Sequence, residues 1–366
     1  MTTADLSVVM PNFNHAHYLP RALDAIFAQS VQPREMVVVD DASTDDSVRV
    51  LEGYARRFPH LKVVRNERNL GVVGAMNRGA QLAAGRFLGF AAADDYVLPG
   101  FYEKTVALFE QHPQAGLCFA YDSFQFGVDG RVEPNPSGWP AGRADYYPPA
   151  EVARLLRHTI PGHSGIFRAD ALRAAGWFDP ALAWYCDWFA NLTLAFRHGA
   201  CHVPEALSVR VLLPENYSAA AKPGERHRAV LRAFLDKVAD PGHADVAPLF
   251  RRNGAACYFG PDLVRAAATR PDCWDRDVLG LLNGLTPEQY VELLADPEPA
   301  VRELAGFFLG PFWRRAEAER VAKERELDRL RDELAAVRRR LPPDGAVGKV
   351  RWAAGLVAKR LGRRAG

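Results

Sequence analysis

The sequence lacks the cysteine spacing of a metal cluster or of a disulfide scaffold. Its 366 residues include five cysteines, which are scattered, odd in number and never arranged as Cys-x-x-Cys. This pattern argues against a zinc finger or a disulfide-rich secreted protein and is typical of reduced thiols inside the cell. The five are Cys118, Cys186, Cys201, Cys257 and Cys273.

Long apolar runs are also missing. No stretch approaches the roughly 18 uninterrupted apolar residues of a membrane-spanning helix. The first strand-like run, Leu6–Met10, begins too early to leave room for a secretory signal peptide. We therefore expect a cytoplasmic protein. The formal net charge of +2 gives no reason to expect binding to nucleic acid.

A glycine-rich phosphate loop is absent after the first strand-like run, where the sequence reads PNFNHAHY. The absence of this loop argues against a nucleotidyltransferase, and the missing GxGxxG pattern argues against a dinucleotide-dependent dehydrogenase.

The first third of the chain alternates short apolar runs with helical patterns. This βαβα order predicts an α/β fold in which a mostly parallel sheet is covered by helices on both faces. Ser43 is expected to cap the second helix. The predicted strands are Leu6–Met10, Met36–Val39, Leu61–Val64, Arg86–Ala91 and Leu117–Ala120, and the predicted helices are Tyr18–Gln29, Asp45–Arg57, Val72–Ala84 and Phe101–His112.

Acidic doublets follow two of these strands, Asp40-Asp41 after the second and Asp94-Asp95 after the fourth. In open α/β sheets ligands bind outside the carboxyl ends of the strands. Two carboxylate clusters at that edge suit a ligand with polar rings and phosphates bound through a divalent cation, such as a nucleoside diphosphate. The alternative is that these aspartates only hold turns, where Asp is common.

Three segments, in order, resemble family 2 glycosyltransferases of the GT-A fold. They are SVVMPNFNHAHYLPRALDAIFAQSVQPREMVVVDDASTDDS, RNLGVVGAMNRGAQLAAGRFLGFAAADD and GIFRADALRAAGWFDPALAWYCDWFANLTLAFRHG. The resemblance covers about the first 215 residues. It implies a GT-A type, Rossmann-like α/β/α sandwich, here followed by a C-terminal helical extension.

The resemblance also implies donor-binding residues. Asp41 takes the position that contacts the nucleotide base, where a carboxylate accepts from an imide N–H of uracil or thymine. Pro11, Asn12 and Asp40 belong to the same group of nucleotide contacts.

The second segment brings the residues for the diphosphate. Asp95 takes the position of the Mg²⁺ or Mn²⁺ ligand and Asp94 that of a ribose or outer-sphere contact, while Asn77 and Arg78 are candidates for diphosphate or base contacts. Many family members have a further Asp two positions before Asp94, and here that position is Ala92.

The third segment places the catalytic base at Asp187. The implied reaction is inverting transfer of a sugar from a nucleotide-diphosphate donor to an acceptor hydroxyl. The alternative is that Asp187 is an ordinary helix N-cap. Nearby aromatic residues would raise its pKa and the helix dipole would lower it. His163 is a candidate for the acceptor pocket, outside the catalytic set.

The domain organisation predicted from composition has five parts. They are a nucleotide-sugar half (1–121), an acceptor half (122–223), an accessory helical region (224–312), a charged helix (313–341) and a basic tail (342–366). Apolar residues in 327–341 have the 3-4-3-4 spacing of a short coiled coil that could join copies of the chain; a solvated helix is the alternative. The tail has six Lys or Arg residues against Asp344. It could lie on the anionic inner face of a membrane, or be solvated.

These features predict a role in cell-surface polysaccharide or glycan biosynthesis, with a glycan or lipid-linked acceptor. Two other functions stay open at this stage. One is a catalytically degenerate scaffold of a glycan-assembly complex, which the thinned metal motif favours. The other is a nucleotidyltransferase.

Overall fold

The computed structural model of the chain describes residues 2–135, 139, 142–156, 160, 162–213, 224–253, 256, 259–270, 285–306, 321–322, 325–326 and 328–332. One compact unit comprises Met1–Ala305 and a second comprises Gly306–Gly366. The described residues between 321 and 332 are helical. The predicted basic tail and most of the predicted coiled-coil positions lie outside the described residues.

A mixed sheet of ten strands forms the centre of the first unit, as far as the described residues show. The strand order is β3-β2-β1-β4-β9-β6-β10-β5, with β7 paired to β6 and β8 paired to β10. The longest ladders, β1 with β2 and β6 with β10, are parallel, whereas each antiparallel pairing spans two or three residue pairs. The prediction of an α/β fold with a mostly parallel sheet is confirmed. The strands are β1 Thr2–Asn12, β2 Val31–Asp40, β3 Leu61–Arg65, β4 Phe87–Phe90, β5 Tyr96–Val97, β6 Leu117–Phe126, β7 Val132–Pro134, β8 Asp145–Tyr147, β9 Gly165–Arg168 and β10 Ala200–Leu212.

Helices cover both faces of this sheet, because the central strands are apolar on both faces. In β2 the side chains of Met36 and Val38 pack into the main core, while Val37 and Val39 pack with Ala75 of the third helix on the opposite face. A strand buried on both faces has a continuous apolar run rather than an alternating one. The helices are α1 Leu19–Phe27, α2 Ser47–Arg57, α3 Gly71–Leu82, α4 Phe101–Gln111, α5 Pro149–Leu155, α6 Ala169–Ala174, α7 Cys186–His198, α8 Glu225–Ala239, α9 Ala247–Asn253, α10 Pro261–Ala268 and α11 Pro287–Leu294, with 3-10 helices at Pro180–Tyr185 and Pro241–His243.

The first four predicted helices and the first five predicted strands are present, but the predicted cap of α2 is wrong. The helix begins at Ser47, and its backbone N–H donates to Asp45 Oδ1 at 2.9 Å. Ser43 instead accepts hydrogen bonds from the Asn14 backbone N–H and the Asn12 side chain. Its hydroxyl therefore joins two loops at the carboxyl edge of the sheet.

Strand β10 was missed in the sequence, although it is the longest strand described. It pairs along β6 with register shifts between Val203 and Ala206 and between Ala206 and Ser208. The residues Pro204-Glu205 at the first shift interrupt the apolar pattern, and proline cannot donate to a ladder. The irregularity hides the strand in the sequence, and with it Arg210, a residue of the candidate site.

The accessory region is helical where it is described, as predicted. Helices α8 and α11 match the predicted segments Arg226–Val238 and Pro287–Leu294, and residues 299–306 are helical. The α8–α10 region packs on α7 through rings: Trp188 lies 5.6 Å from Phe234 and 5.0 Å from Phe259, between ring centroids. Over the described residues, we find no helix with the length and apolarity to cross a bilayer.

A buried histidine, His202, lies near the start of β10. The His202 ring is fully buried, with centroids 4.7 Å from Phe119 and 4.6 Å from Tyr121. Neither ring nitrogen has a hydrogen-bond partner among the described residues. Burial lowers the pKa of His202 to about 3, so that the ring is neutral at pH 7.

We predict that His202→Phe makes the protein less sensitive to acid. Between pH 6.5 and pH 3 the unfolded chain binds a proton at this histidine and the folded chain does not, so the free energy of unfolding falls as the pH falls. At pH 5 the loss from His202 amounts to about 2 kcal/mol. Urea unfolding of wild type and variant at pH 7.5 and pH 5 measures this difference, with the exposed His17→Phe as the control. An unchanged pH dependence in His202→Phe would contradict it.

Candidate functional site

A cavity of about 230 Å³ opens at the carboxyl ends of β1 and β4. Its walls come from the end of β1, the segment after β4, the loop before β9, the 3-10 helix leading into α7, and β10. It is therefore built at the sheet edge where the acidic doublets predicted a ligand site. The residues that line it are Pro11, Val72, Met76, Phe90, Ala91, Ala92, Asp94, Asp95, Gly162, His163, Phe167, Phe178, Ala183, Trp184, Cys186, Asp187 and Arg210.

The Asp94-Asp95 pair forms one acidic side of the cavity. Asp95 is nearly buried, at 9% exposure, and its Oδ1 accepts from the Val211 backbone N–H of β10 at 2.8 Å. Burial, together with the negative charge of Asp94, raises the pKa of Asp95 to about 8, although the Val211 hydrogen bond and the Arg210 charge act in the opposite direction. Arg21 steadies the pair by donating to the Asp94 carbonyl oxygen at 3.0 Å.

Asp187 faces the cavity from the second residue of α7. Tyr185 occupies the N-cap position of this helix, so the alternative that Asp187 is an ordinary N-cap does not hold. Asp187 Oδ1 accepts from the Trp188 backbone N–H at 2.7 Å. Burial raises the pKa of Asp187, although this hydrogen bond and the charge of Arg210 lower it.

Gly162 leaves the space that the Asp187 carboxylate occupies. A Cβ atom built on Gly162 would overlap Asp187 Oδ2. Any side chain at position 162 would therefore displace the carboxylate or the loop before β9.

Arg210 is a site residue that the sequence analysis missed. Its Nη2 donates to Asp122 Oδ2 at 3.0 Å, and its guanidinium carbon lies 4.8 Å from the ring centroid of Phe124. Asp122 is fully buried and also accepts from Asn135 Nδ2 at 2.7 Å. The guanidinium is thus held from behind while it lines the cavity. An arginine within the otherwise apolar run of β10 was the available signal, but the strand itself had not been recognised.

His163 lines the cavity, where the sequence suggested an acceptor pocket. Its Nε2 lies 3.1 Å from Ser208 Oγ and 3.8 Å from Asp122 Oδ2. Burial lowers the pKa of His163 to about 4, so that the ring is neutral at pH 7. A neutral ring in this position offers hydrogen bonds and not charge.

Asp41 lies outside the cavity wall, in a separate buried contact. Its Oδ1 accepts from Asn66 Nδ2 at 2.5 Å and from the Leu70 backbone N–H at 2.8 Å. Arg78 reaches the same place, because its Nη1 donates to Asn66 Oδ1. The predicted base contacts Asp41 and Arg78 are thus joined through Asn66, but they do not share the cavity of Asp95 and Asp187.

Asn12, Asp40 and Asn77 are engaged within the chain. Asp40 is fully buried; its Oδ2 accepts from Asn12 Nδ2 at 3.0 Å and its Oδ1 from the Ser43 backbone N–H at 3.1 Å. Through these two hydrogen bonds Asp40 holds the turn after β2. Asn77 donates to the Phe178 carbonyl oxygen at 2.7 Å and accepts from its N–H at 3.1 Å, which ties α3 to the cavity wall.

The Asp94-Asp95 pair has the chemistry of a divalent-cation site. Nowhere in the described part of the chain do three or more His, Cys, Asp or Glu side chains come together as a metal cluster. Mg²⁺ and Mn²⁺ commonly use one or two protein carboxylates and complete their shell with water and substrate phosphates. Two adjacent carboxylates, one with a raised pKa, fit such a cation because it would neutralise their mutual repulsion.

Comparison with known proteins agrees with this architecture. Residues 7–173 match the sequence model "Glycosyl transferase family 2". The chain is 32% identical over 107 residues to the uncharacterized glycosyltransferase YibD of Escherichia coli K12, covering 29% of this chain and 31% of YibD. It is 34% identical over 110 residues to the minor teichoic acid biosynthesis protein GgaB of Bacillus subtilis, covering 30% of this chain and 12% of GgaB. The chain thus spans less than a third of either relative.

A solved structure resembles the chain over most of its length. The crystal structure of S. aureus TarS 1–349 in complex with UDP-GlcNAc superimposes with a TM-score of 0.58 at 16% identity, covering 88% of this chain and 92% of that one. At this identity the likeness concerns the fold. Residues 7–173 are thus similar to glycosyl transferase family 2, and the fold of the chain is the GT-A glycosyltransferase fold.

Proposed function

We propose that this protein transfers a sugar from a nucleotide-diphosphate donor to an acceptor hydroxyl, with inversion at the anomeric carbon. The observation that carries the proposal is one cavity of about 230 Å³ that is lined by both Asp187 and the Asp94-Asp95 pair. A carboxylate and a candidate cation site in the same cavity are the two groups that such a displacement needs. The match of residues 7–173 to the family model and the UDP-GlcNAc in the TarS complex support the choice of donor class.

Asp187 acts as the general base. Its raised pKa makes it a better proton acceptor than an ordinary aspartate, while the Trp188 N–H and Arg210 keep it ionised for that task. The acceptor oxygen loses its proton to Asp187 and forms the new bond to the anomeric carbon, as the bond from that carbon to the diphosphate breaks. Among the described residues of the cavity, the other carboxylates are Asp94 and Asp95, which leaves no separate nucleophile for a double displacement.

Asp95 would hold the divalent cation directly, with Asp94 beside it as a ribose or outer-sphere contact. When bound, Mg²⁺ or Mn²⁺ supplies Lewis-acid stabilisation of the negative charge on the diphosphate. Arg210 adds a fixed positive charge to the same cavity, because Asp122 and Phe124 hold its guanidinium. These residues would bind and orient the phosphate part of the donor.

The nucleotide base is assigned to the neighbourhood of Asp41, as the resemblance implies. Asn66 and the Leu70 N–H occupy Asp41 Oδ1 and orient the carboxylate. Pro11 lines the cavity at the end of β1, between that neighbourhood and the acidic pair. Asn12, Asp40 and Asn77 support this edge through the bonds that they make within the chain.

For the biological process, we propose cell-surface polysaccharide or glycan synthesis with a glycan or lipid-linked acceptor. The relative GgaB carries the name of a teichoic acid biosynthesis protein, which supports this class. A cytoplasmic location, at the inner face of a membrane, and self-association through residues 327–341 remain part of the proposal. A nucleotide-binding scaffold without activity is the competing function, and the experiments below separate the two.

We predict that Asp187→Asn abolishes transfer while donor binding persists. The amide keeps the size of the carboxylate and cannot take the proton, so turnover should fall by about 10²–10⁴-fold. Nucleoside diphosphate release from UDP-, dTDP- and GDP-sugars measures turnover, and thermal shift with the same donors measures binding. Asp129→Asn, an exposed aspartate in the β6–β7 turn, is the matched control. Transfer within twofold of wild type in Asp187→Asn would rule out the assigned base, and donor binding without turnover in wild type would favour the scaffold.

We predict that Mn²⁺ stabilises the protein more at pH 8 than at pH 6. A proton competes with the cation for Asp95, whose folded-state pKa is about 8, so the rise in Tm on adding Mn²⁺ should grow with pH. Without metal, stability falls as the pH rises toward 8, because the folded state must give up a proton that it binds more tightly than the unfolded state.

Asp95→Asn provides the test of this cation site. It imitates the protonated carboxyl and keeps an oxygen for the Val211 N–H, so it should unfold at the wild-type Tm or above without metal and gain nothing from Mn²⁺. Thermal unfolding of wild type, Asp95→Asn and the control Asp129→Asn, with and without Mn²⁺, measures both effects. An undiminished Mn²⁺ shift in Asp95→Asn would mean that the cation binds elsewhere.

A further inference from the structure

The cavity wall that carries Asp187 has a strained backbone. The wall segment, Pro180–Asp187, contains Ala183 with φ 45° and ψ −119°, a conformation that non-glycine residues rarely adopt. Ala183 and Trp184 line the cavity together with Asp187. Strain of this kind persists only where the surroundings determine the conformation more strongly than the local backbone does.

Helix α8 supplies those surroundings along the wall segment. Val230 packs with Ala183 and Trp184 in one buried cluster. The guanidinium carbon of Arg226 lies 5.4 Å from the ring centroid of Trp184. Near the other end of α8, Lys237 Nζ lies 2.7 Å from Asp179 Oδ2, at the N-cap of the 3-10 helix. The helix thus contacts the wall segment and the residue before it.

A buried polar link joins α8 to the start of α7. His227 of α8 is 6% exposed, and its Nε2 lies 3.0 Å from the hydroxyl of Tyr185, the N-cap residue of α7. Its Nδ1 lies 3.2 Å from Asp262 Oδ2 of α10. Because an ionised carboxylate only accepts, the tautomer that satisfies both contacts has its proton on Nδ1, which donates to Asp262, and Nε2 accepts from the Tyr185 hydroxyl.

Arg265 anchors the far end of this link. Its guanidinium donates to three carboxylates. One is Asp262 of α10, at 3.2 Å from Oδ1, and another is Glu292 of α11, at 2.6 Å from Oε1. The third is Asp296, just after α11, at 2.8 Å from Oδ2. Asp262 and Asp296 are buried. The chain of contacts Tyr185–His227–Asp262–Arg265 therefore connects the accessory helices to the residue two positions before Asp187.

We propose that the accessory helices α8, α10 and α11 position the base, with His227 as a positioning residue that holds Tyr185 and thereby the first turn of α7. Neither His227 nor Tyr185 lines the cavity, so neither is a catalytic residue. The inference rests on the proposed function for its activity readout. A small displacement of Asp187 lowers turnover, because proton transfer and displacement depend on closely set distances.

Two substitutions at His227 distinguish its contact with Asp262 from its contact with Tyr185. His227→Asn keeps an amide near the position of Nδ1 and loses the reach to Tyr185. His227→Gln extends an amide to the position of Nε2 and can still accept from the Tyr185 hydroxyl. Tyr185→Phe removes that hydroxyl alone. Arg228→Gln, on the same helix and paired with Glu225, is the matched control.

The kinetic test uses release of nucleoside diphosphate from the nucleotide sugar that most stabilises wild type in a thermal-shift screen. We expect kcat to fall about tenfold in His227→Asn and in Tyr185→Phe, with the donor KM within twofold of wild type, and His227→Gln to recover most of the loss. The double variant Tyr185→Phe/His227→Asn should be no slower than either single one, because both remove the same contact. Wild-type kcat in His227→Asn, or a parallel loss of kcat, donor binding and Tm in all three variants, would overturn the proposal.

Hydrogen exchange followed by mass spectrometry tests the same link without any activity. We expect amides in peptides covering 183–190 to exchange faster in His227→Asn and Tyr185→Phe, and at the wild-type rate in Arg228→Gln. Unchanged exchange in this segment would overturn the positioning role. If wild type turns over no donor, the proposed function fails, and the exchange result alone decides the inference.

Discussion

The crowding of negative charge around one small cavity is the constraint on which the site depends. Asp94, Asp95 and Asp187 face the same space, and Asp122 lies behind it. Arg210 is the cation among the described lining residues, and its charge lowers the pKa of both Asp95 and Asp187. Asp122 and Phe124 hold the Arg210 guanidinium, so the position of its positive charge is fixed. This single charge offsets only part of the negative charge of the three aspartates. The residual repulsion between Asp94 and Asp95 suits a divalent cation, and the buried Asp187 suits a proton acceptor.

The segments that form the cavity wall are held in place by different kinds of contact. The parallel strands β1 and β4 place Pro11 and the acidic pair through the ladders of the central sheet. The wall segment has no such ladder, and Ala183 within it adopts a strained conformation. Its order depends on contacts with α8 from outside and with Asn77 of α3 through Phe178. The accessory helices, which lie beyond the residues matched by the family, thus bear directly on the part of the cavity that carries Asp187.

Local patterns in the sequence predicted much of this structure. Short apolar runs identified β1 to β4 and β6, and the helices between them followed from their helical patterns. The acidic doublets correctly indicated the edge of the sheet at which the cavity opens. The patterns failed where the backbone departs from regular geometry: the register shifts at Val203 and Ala206 hid β10, and with it Arg210. The cap of α2 was misplaced because Ser43 bonds to a different loop.

The sequence alone determined which residue types stand at the ends of the strands, since strand ends follow from short runs of neighbouring residues. Only the tertiary structure decided which of them share a space. Asp41 and Asp95 both follow parallel strands, but Asp41 is held by Asn66 and Leu70, while Asp95 bonds to Val211, 116 residues away in the chain. That contact depends on where β10 lies in the sheet, and the link from His227 to Tyr185 depends on how α8 packs on α7. Such pairings are set by the packing of whole elements, and no local pattern encodes them.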